Sequence, residues 1–291
     1  MITKRPWIAF AFLAPAIVLY SIFTLYPLLS GIWLSFTDSE GGPVANFTGI
    51  ENYVRLLQDE NFWSAIQFTL TYAVIVVVVQ NAIGIWVARS LFLRPKIRKL
   101  GGVLVLLPVL VSPLMASFIF SYVLAPQGAL NQLLEGVGLE ALTRVWLGDP
   151  TTALPSVAMV NIWTFAGYSA TIFLAGYLAL PAELLDAASV DGASGWRQFR
   201  AIEWPLLAPA LTVNITLSLI GALRVFEYPF VLTGGGPAGA TTSLSLLIYN
   251  KTFLAPGNFS FGIALAVMLL VLVVTLSGIA TTLLRSRENR I

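Results

Sequence analysis

Six predominantly apolar stretches, each long enough to cross the roughly 30 Å hydrocarbon core of a bilayer, constrain this chain more than any other feature. They cover 7–36, 65–91, 100–125, 154–180, 205–232 and 261–284. Only 10% of the residues are charged and 57% are hydrophobic, whereas a soluble domain carries about 25% charged residues. The mean hydropathy of +0.85 agrees. The expected fold is all-α, an integral membrane bundle of six transmembrane helices in a lipid bilayer. The first stretch is too long for a signal-peptide core, and no small-residue cleavage site follows it.

The few charges are sorted. Twelve of the sixteen Lys and Arg residues fall before the first stretch, in 89–99, in 181–204 and after the sixth stretch. The other segments hold Arg55, Arg144 and Lys251, while Arg224 lies inside the fifth stretch. The positive-inside rule then places both termini on the cytoplasmic side of the cell membrane. Three loops face outward, near 37–64, 126–153 and 233–260. The first two contain amphipathic runs that read as short surface helices, FTGIENYVRLLQDENFW and ALNQLLEGVGL. The third opens on the turn TGGGPAGATT.

Several kinds of chemistry are excluded. The chain has no Cys and no His, so thiol nucleophiles, disulfides, zinc sites and imidazole bases are unavailable. No catalytic residue, metal ligand or cofactor is expected, and no nucleic-acid partner. No GxxxxGK[ST] loop occurs, so any ATP is hydrolysed by another protein. Gly234, Gly236 and Gly239 formally match GxGxxG. With Pro237 between them in an outer loop, they predict a turn rather than a dinucleotide site.

Prolines interrupt three spans: Pro15 and Pro27, Pro108 and Pro113, Pro209 and Pro229. Each removes a backbone donor, so kinks are expected. Such breaks suit helices around a polar cavity, and equally a tightly packed bundle. Arg224 and Glu227 are the main ionisable residues within a span. Their i, i+3 spacing on a continuous helix lets them share a face and pair. Two readings stay open: they border a polar solute pathway, or they form a structural pair at the interface. In the fourth stretch, NIWTFAGYSATIF mixes amide, hydroxyl and aromatic groups. Asn161, Thr164 and Tyr168 share one face there. Sugars are recognised by such a mix, although polar residues also serve interhelical hydrogen bonding.

The loop after the fourth stretch reads PAELLDAASVDGASGWRQFRAIEWPLLAP, residues 181–209. Ala182–Val190 favours helix. Asp191-Gly192 is a turn signal, because glycine accepts a left-handed backbone without strain. Residues 193–203 can form a second helix, with Trp196, Phe199 and Ile202 on one face. The small residues Ala187, Ala188 and Ala193 allow close approach by another surface. The spacing Asp186-Ala187-Ala188, three residues, Gly192, nine residues, Ile202, two residues, Pro205 resembles the "EAA" loop of permease subunits in binding-protein-dependent ABC importers. The extended form, VDGAS with a downstream PLLAP, resembles the carbohydrate-uptake branch. FTGIENY, LPVLVSPLMASFIFSYVLAPQGALNQLL and RVFEYPFVLTGGGPAGATT extend the likeness over nearly the whole chain, most closely to a maltose-type first permease. Two departures are Asp186 for the usual Glu and Trp204 for the usual Leu before the proline.

The resemblance implies one permease domain over residues 1–291 with a cytoplasmic coupling loop at 181–205. It implies a sugar or sugar-like substrate, a second homologous permease, two ABC ATPase subunits and an extracytoplasmic solute-binding protein. By the same similarity, Asn161, Thr164, Phe165, Tyr168, Leu223 and Arg224 stand at or near solute contacts, with Glu227 beside them. Asp186, Ala187, Ala188, Asp191, Gly192, Ala193, Phe199, Ile202 and Pro205 stand at the ATPase-coupling surface. Within the family, a phosphorylated polyol such as glycerol 3-phosphate is the alternative substrate, with Arg224 as an anion contact. Outside it, a secondary transporter is the rival. That rival predicts deep protonatable residues, and the spans hold few.

The charge sorting makes a direct prediction. Ser39→Cys, Gly136→Cys and Gly239→Cys are expected to react with an impermeant thiol reagent added outside the cell. Ser90→Cys, Ser194→Cys and Ser286→Cys are expected to stay unlabelled. The reverse pattern would rule out an arrangement with both ends inside.

Overall fold

The computed structural model describes residues 6–42, 45–255, 257 and 259–288. Lys4, Arg5, Asn258 and Arg290 lie outside these residues. The described chain is helical almost throughout, with one isolated bridge between Thr37 and Phe47. Four helical segments are long and apolar enough to cross a membrane: Phe12–Leu34, Glu60–Phe92, Pro150–Leu178 and Phe259–Ser286. Two bent helix pairs complete a set of six spans, in the order expected from sequence.

The bends fall at prolines. α1 (Pro6–Tyr20) and α2 (Tyr26–Leu34) are joined by a π-helical turn, Ser21–Leu25. Tyr26 N–H there reaches back five residues to Ser21 O. Pro27 follows with no N–H to offer the preceding turn, and the widened turn absorbs the loss. α3 (Glu51–Gln58) is the first surface helix, and α4 (Glu60–Phe92) is the second span. The third span breaks by 89° between α5 (Pro95–Leu110) and α6 (Pro113–Val123). The Ser112 side chain caps the new start by accepting from Met115 N–H, a standard N-cap bond.

α7 (Ala129–Gly136) precedes the unbroken fourth span, α8 (Pro150–Leu178). The loop helices α9 (Ala182–Val190) and α10 (Gly195–Gln198) continue through a π-helical segment, Phe199–Glu203, into α11 (Trp204–Leu206). A 73° bend then leads into α12 (Ala208–Leu223). Pro205 and Pro209 flank that bend, each withholding a helix donor. α13 (Glu227–Leu232), α14 (Leu244–Tyr249) and α15 (Phe259–Glu288) complete the chain.

The chain divides into two compact units, 1–60 with 247–270, and 61–246 with 271–291. In the first unit, the Asn52 amide donates to the carbonyls of Ser35 and Thr37 at 3.0 and 2.8 Å. Lys251 pairs with Asp59 at 3.2 Å, and Arg55 lies over the Phe261 ring. Phe12–Leu34 buries no side chain, as suits a helix whose solvent is hydrocarbon. Ser39 is buried and bonded to residue 260 through its backbone carbonyl. An outside label in that loop therefore belongs on the exposed Glu40 instead.

In the second unit, polar side chains share the interior with apolar ones. On α4, Val74 and Val78 are more than 60% exposed, whereas Thr69, Tyr72, Gln80 and Asn81 are buried. A helix in lipid gains nothing by hiding valine, but it must pair its amides with neighbouring helices. Gln80 donates to Ser169 on α8, and Asn81 to Ser218 on α12. Small residues bring the helices close. A Cβ on Gly84 would come within 2.8 Å of Ser169 Cβ, and one on Gly167 would overlap the Val105 carbonyl oxygen.

The last contact gives a prediction. Gly167→Ala is expected to destabilise the detergent-solubilised protein by about 1–3 kcal/mol, the usual cost of overpacking. Gly102→Ala, with open space around its Cβ, is expected to leave the melting temperature unchanged. Equal melting temperatures for both variants would contradict the packing described.

Candidate functional site

A cavity of about 220 Å³ opens between α4, α6, α8 and α12. α4 supplies Val76 and Gln80, α6 supplies Pro113, and α8 supplies Asn161, Phe165 and Tyr168. The remaining wall comes from α12 and the residues after it, including Asn214, Ser218, Arg224, Glu227 and Tyr228. The lining thus mixes amides, hydroxyls, two phenol rings, a phenyl ring and one charge of each sign.

The fifth span is not helical where the charged wall forms. α12 ends at Leu223 and α13 begins at Glu227, with Arg224–Phe226 out of helical register. Non-helical backbone at membrane depth needs substitute partners. The buried Ser243 hydroxyl donates to Val225 O at 2.7 Å, and Phe230 N–H bonds to Phe226 O. The buried Thr69 hydroxyl accepts from Leu244 N–H at 3.0 Å. The break alters the expectation for Arg224 and Glu227. They do not share one helical face, and no ion pair joins them among the described residues. Both are exposed along the same cavity wall.

Five of the seven residues expected at the solute site meet there: Asn161, Phe165, Tyr168, Arg224 and Glu227. Thr164 and Leu223 stand behind the wall, fully buried. The Thr164 hydroxyl donates to Val160 O within its own helix. Trp163 packs on Phe120 instead, with ring centroids 5.1 Å apart. Asn161 is held by Tyr72, its amide donating to the phenol oxygen at 2.6 Å. Asn214 donates to Asn81 Oδ1 at 2.9 Å, and Asn81 in turn to Ser218. The Tyr228 hydroxyl is buried beside Thr164. Sequence reasoning missed Gln80, Asn214, Ser218 and Tyr228. The available signal was the presence of amides and hydroxyls at mid-span on α4 and α12.

The loop at 181–205 forms the second candidate region. α9 covers Ala182–Val190, as expected from propensity. It ends in a Schellman motif: Gly192 N–H bonds to Ser189 O, and Ala193 N–H to Ala188 O. Gly192 closes that motif with φ +74°, where an L side chain is strained. Asp186, Ala187, Asp191 and Gly192 are exposed, Ala193 is half-buried, and Ala188 is buried. Phe199, Ile202 and Pro205 are half-buried and lie on the anchored side of the loop. The expected second helix departs from regular α geometry after Gln198. Pro205 has no N–H for the preceding turn, and π-helical bonding replaces the α pattern there. Phe199 and Trp204 pack against the buried cluster of Ile85, Phe173, Tyr177 and Leu207. Glu203 is buried at the centre of this anchor and bonded to Arg89 and Tyr177. Neither Arg89 nor Glu203 stood out in sequence, because each lies among other charges in a basic loop segment.

Comparison with known proteins agrees with this architecture. The family model described as "Binding-protein-dependent transport system inner membrane component" matches residues 80–289. The probable ABC transporter permease protein YurN of Bacillus subtilis is 36% identical, over 95% of each chain. The trehalose/maltose transport system permease protein MalF of Thermococcus litoralis is 32% identical, over 97% of this chain and 95% of its own. The lactose transport system permease protein LacF of Rhizobium radiobacter is 32% identical, over 95% and 94%. A solved bacterial ABC transporter involved in import of the acidic polysaccharide alginate matches with a TM-score of 0.84 and 26% identity, over 97% of this chain and 96% of that one. With these matches over most of its length, the chain is a multi-pass membrane protein that belongs to the family of binding-protein-dependent transport system inner membrane components.

Proposed function

We propose that this chain is one permease subunit of an ATP-driven importer for a sugar or sugar-like solute. Relatives named for trehalose/maltose, lactose and alginate support the solute class. The observation that carries the reading within this chain is the cavity, whose rings and hydrogen-bonding groups suit the two kinds of surface a sugar presents. Phe165 and Tyr168 offer flat apolar faces, and Asn161, Gln80 and Tyr228 offer hydrogen bonds to hydroxyls. Arg224 and Glu227 contribute opposite charges to one wall. A phosphorylated polyol, the alternative solute, would find Arg224 as its anion contact and meet Glu227 as a like charge.

In this reading both termini and the 181–205 loop face the cytoplasm. The loop receives one of two ATPase subunits on the exposed surface around Asp186, Ala187, Asp191 and Gly192. A second permease completes the pathway, and a solute-binding protein delivers the sugar from outside. One solved relative is a bacterial alginate transporter in complex with its alginate pentasaccharide-bound periplasmic protein. ATP-driven closure of the ATPases moves the loop and switches the cavity between the two sides. This chain contributes binding surfaces and movement, and no covalent chemistry.

The solute site is tested by Tyr168→Ala and Arg224→Ala in the assembled transporter. Losing a hydrogen bond to the charged group is worth about 1.5–3 kcal/mol, so Arg224→Ala is expected to raise the uptake KM by about tenfold or more. Subunit assembly is expected to stay intact in both variants. Wild-type uptake kinetics in both would remove these residues from the pathway.

The docking loop is tested by Gly192→Asp. No atom lies within 4 Å of a Cβ built there, so the new side chain meets a docked partner rather than its own fold. Aspartate also enters the left-handed region more readily than most residues, which limits the backbone strain. The variant is expected to insert normally, to recover little ATPase on affinity capture and to lose uptake. Normal ATPase recovery together with normal uptake would exclude this loop as the docking surface.

A further inference from the structure

Glu203 has a side chain that is only 2% exposed, yet it belongs to the short segment between the loop and the fifth span. A carboxylate in that position needs strong partners. Arg89, near the end of α4, supplies a two-pronged contact, with Nε to Oε2 at 2.7 Å and an Nη to Oε1 at 3.1 Å. Tyr177, near the end of α8, donates its hydroxyl to Oε2 at 3.1 Å. Arg89 also donates to Gly195 O at 2.9 Å and lies over the Phe199 ring at 5.4 Å. Phe92 stacks on Tyr177 from the other side, with centroids 5.2 Å apart. One buried carboxylate therefore binds three separate chain segments together.

The chain turns sharply on either side of this cluster. Gly192 and Gly195 both have positive φ on the loop side, and the chain bends by 73° at Leu207 on the other. The planar guanidinium fork fixes the pair in orientation as well as distance. Separating a buried ion pair strands a charge in a low-dielectric site. The pair therefore resists separation and joins the loop segment to α4 and α8.

We propose that Arg89, Glu203 and Tyr177 form the rigid joint through which displacement of the 181–205 loop is passed to α4 and α8. These two helices carry Gln80, Asn161 and Tyr168 in the cavity wall. Gln80 is nine residues from Arg89, about 13 Å along α4 at 1.5 Å per residue, close enough for a rigid helix to transmit tilt. The inference rests on reading this loop as the ATPase-docking element. Arg89, Glu203 and Tyr177 are positioning residues, and none of them lines the solute cavity.

The test uses the whole transporter in proteoliposomes with its loaded binding protein, measuring both ATP hydrolysed and solute moved. Glu203→Gln keeps the shape and removes the charge. It is expected to retain the ATPase on affinity capture and to continue hydrolysing ATP, while solute moved per ATP falls at least tenfold. A wild-type ratio in assembled Glu203→Gln and Arg89→Ala would overturn the proposal. Loss of ATPase capture in Glu203→Gln would also overturn it, by making the residue part of the docking surface. Failure of the docking reading itself shows separately, as normal ATPase capture by Gly192→Asp. If the single variants do not fold, Arg89→Cys combined with Glu203→Cys supplies a second test, since the chain has no other cysteine. Bridging the two thiols with a bifunctional reagent is expected to restore coupled uptake, because a rigid joint stays closed throughout the cycle. Abolition of uptake by the bridge would show that the cluster must open, and would overturn the proposal.

Discussion

Every peptide group of this chain that lies within the bilayer must find its hydrogen bond inside the protein, and the architecture follows from that requirement. Continuous helix meets it along α4, α8 and α15. Where a helix widens or breaks near a proline, the structure supplies a specific substitute. Before Pro27 the turn widens so that Tyr26 N–H reaches Ser21 O. Between α5 and α6 the Ser112 side chain accepts from Met115 N–H. After Leu223 the Val225 carbonyl is taken up by the buried Ser243 hydroxyl. The breaks are placed where polar side chains are ready to receive them.

The same requirement explains where the polar side chains lie. Outside the bilayer a fold hides valine and exposes asparagine. In the second unit Val74 and Val78 face outward, and Asn81, Asn214 and Ser218 bond to one another within. With the Gln80–Ser169 bond, these groups tie α4, α8 and α12 together beside the cavity. Gly84 and Gly167 permit this by letting backbones approach more closely than a side chain would allow. The cavity is therefore a product of the packing. Its lining carries hydrogen-bonding groups of α4, α8, α12 and the residues after α12.

At the other end of the bundle, charge replaces amides as the connector. Glu203 is buried among α4, α8 and the loop segment, and its partners come from positions far apart in sequence. A surface ion pair would add little to stability. A buried one is costly to open, and this gives the loop a defined mechanical connection to the membrane helices. Phe92, Phe199 and Trp204 pack around that connection.

The sequence by itself determined the fold class, the six spans, and the first helix and turn of the 182–203 loop. Those features depend on local properties: length of apolar run, helix propensity and the left-handed backbone that only glycine adopts freely. Gly192 shows this best, since one dipeptide announced a turn that the structure closes with φ +74°. Only the tertiary structure decided which polar residues meet. Asn161 and Arg224 reach one cavity wall while Thr164 and Leu223 turn away from it, because helix rotation and the break after Leu223 set their directions. Spacing along an unbroken helix predicted a shared face for Arg224 and Glu227, and three non-helical residues removed it. Arg89 and Glu203 were invisible as a pair, since 114 residues separate them. Their contact is made by packing of α4 against the loop segment, which no local pattern encodes.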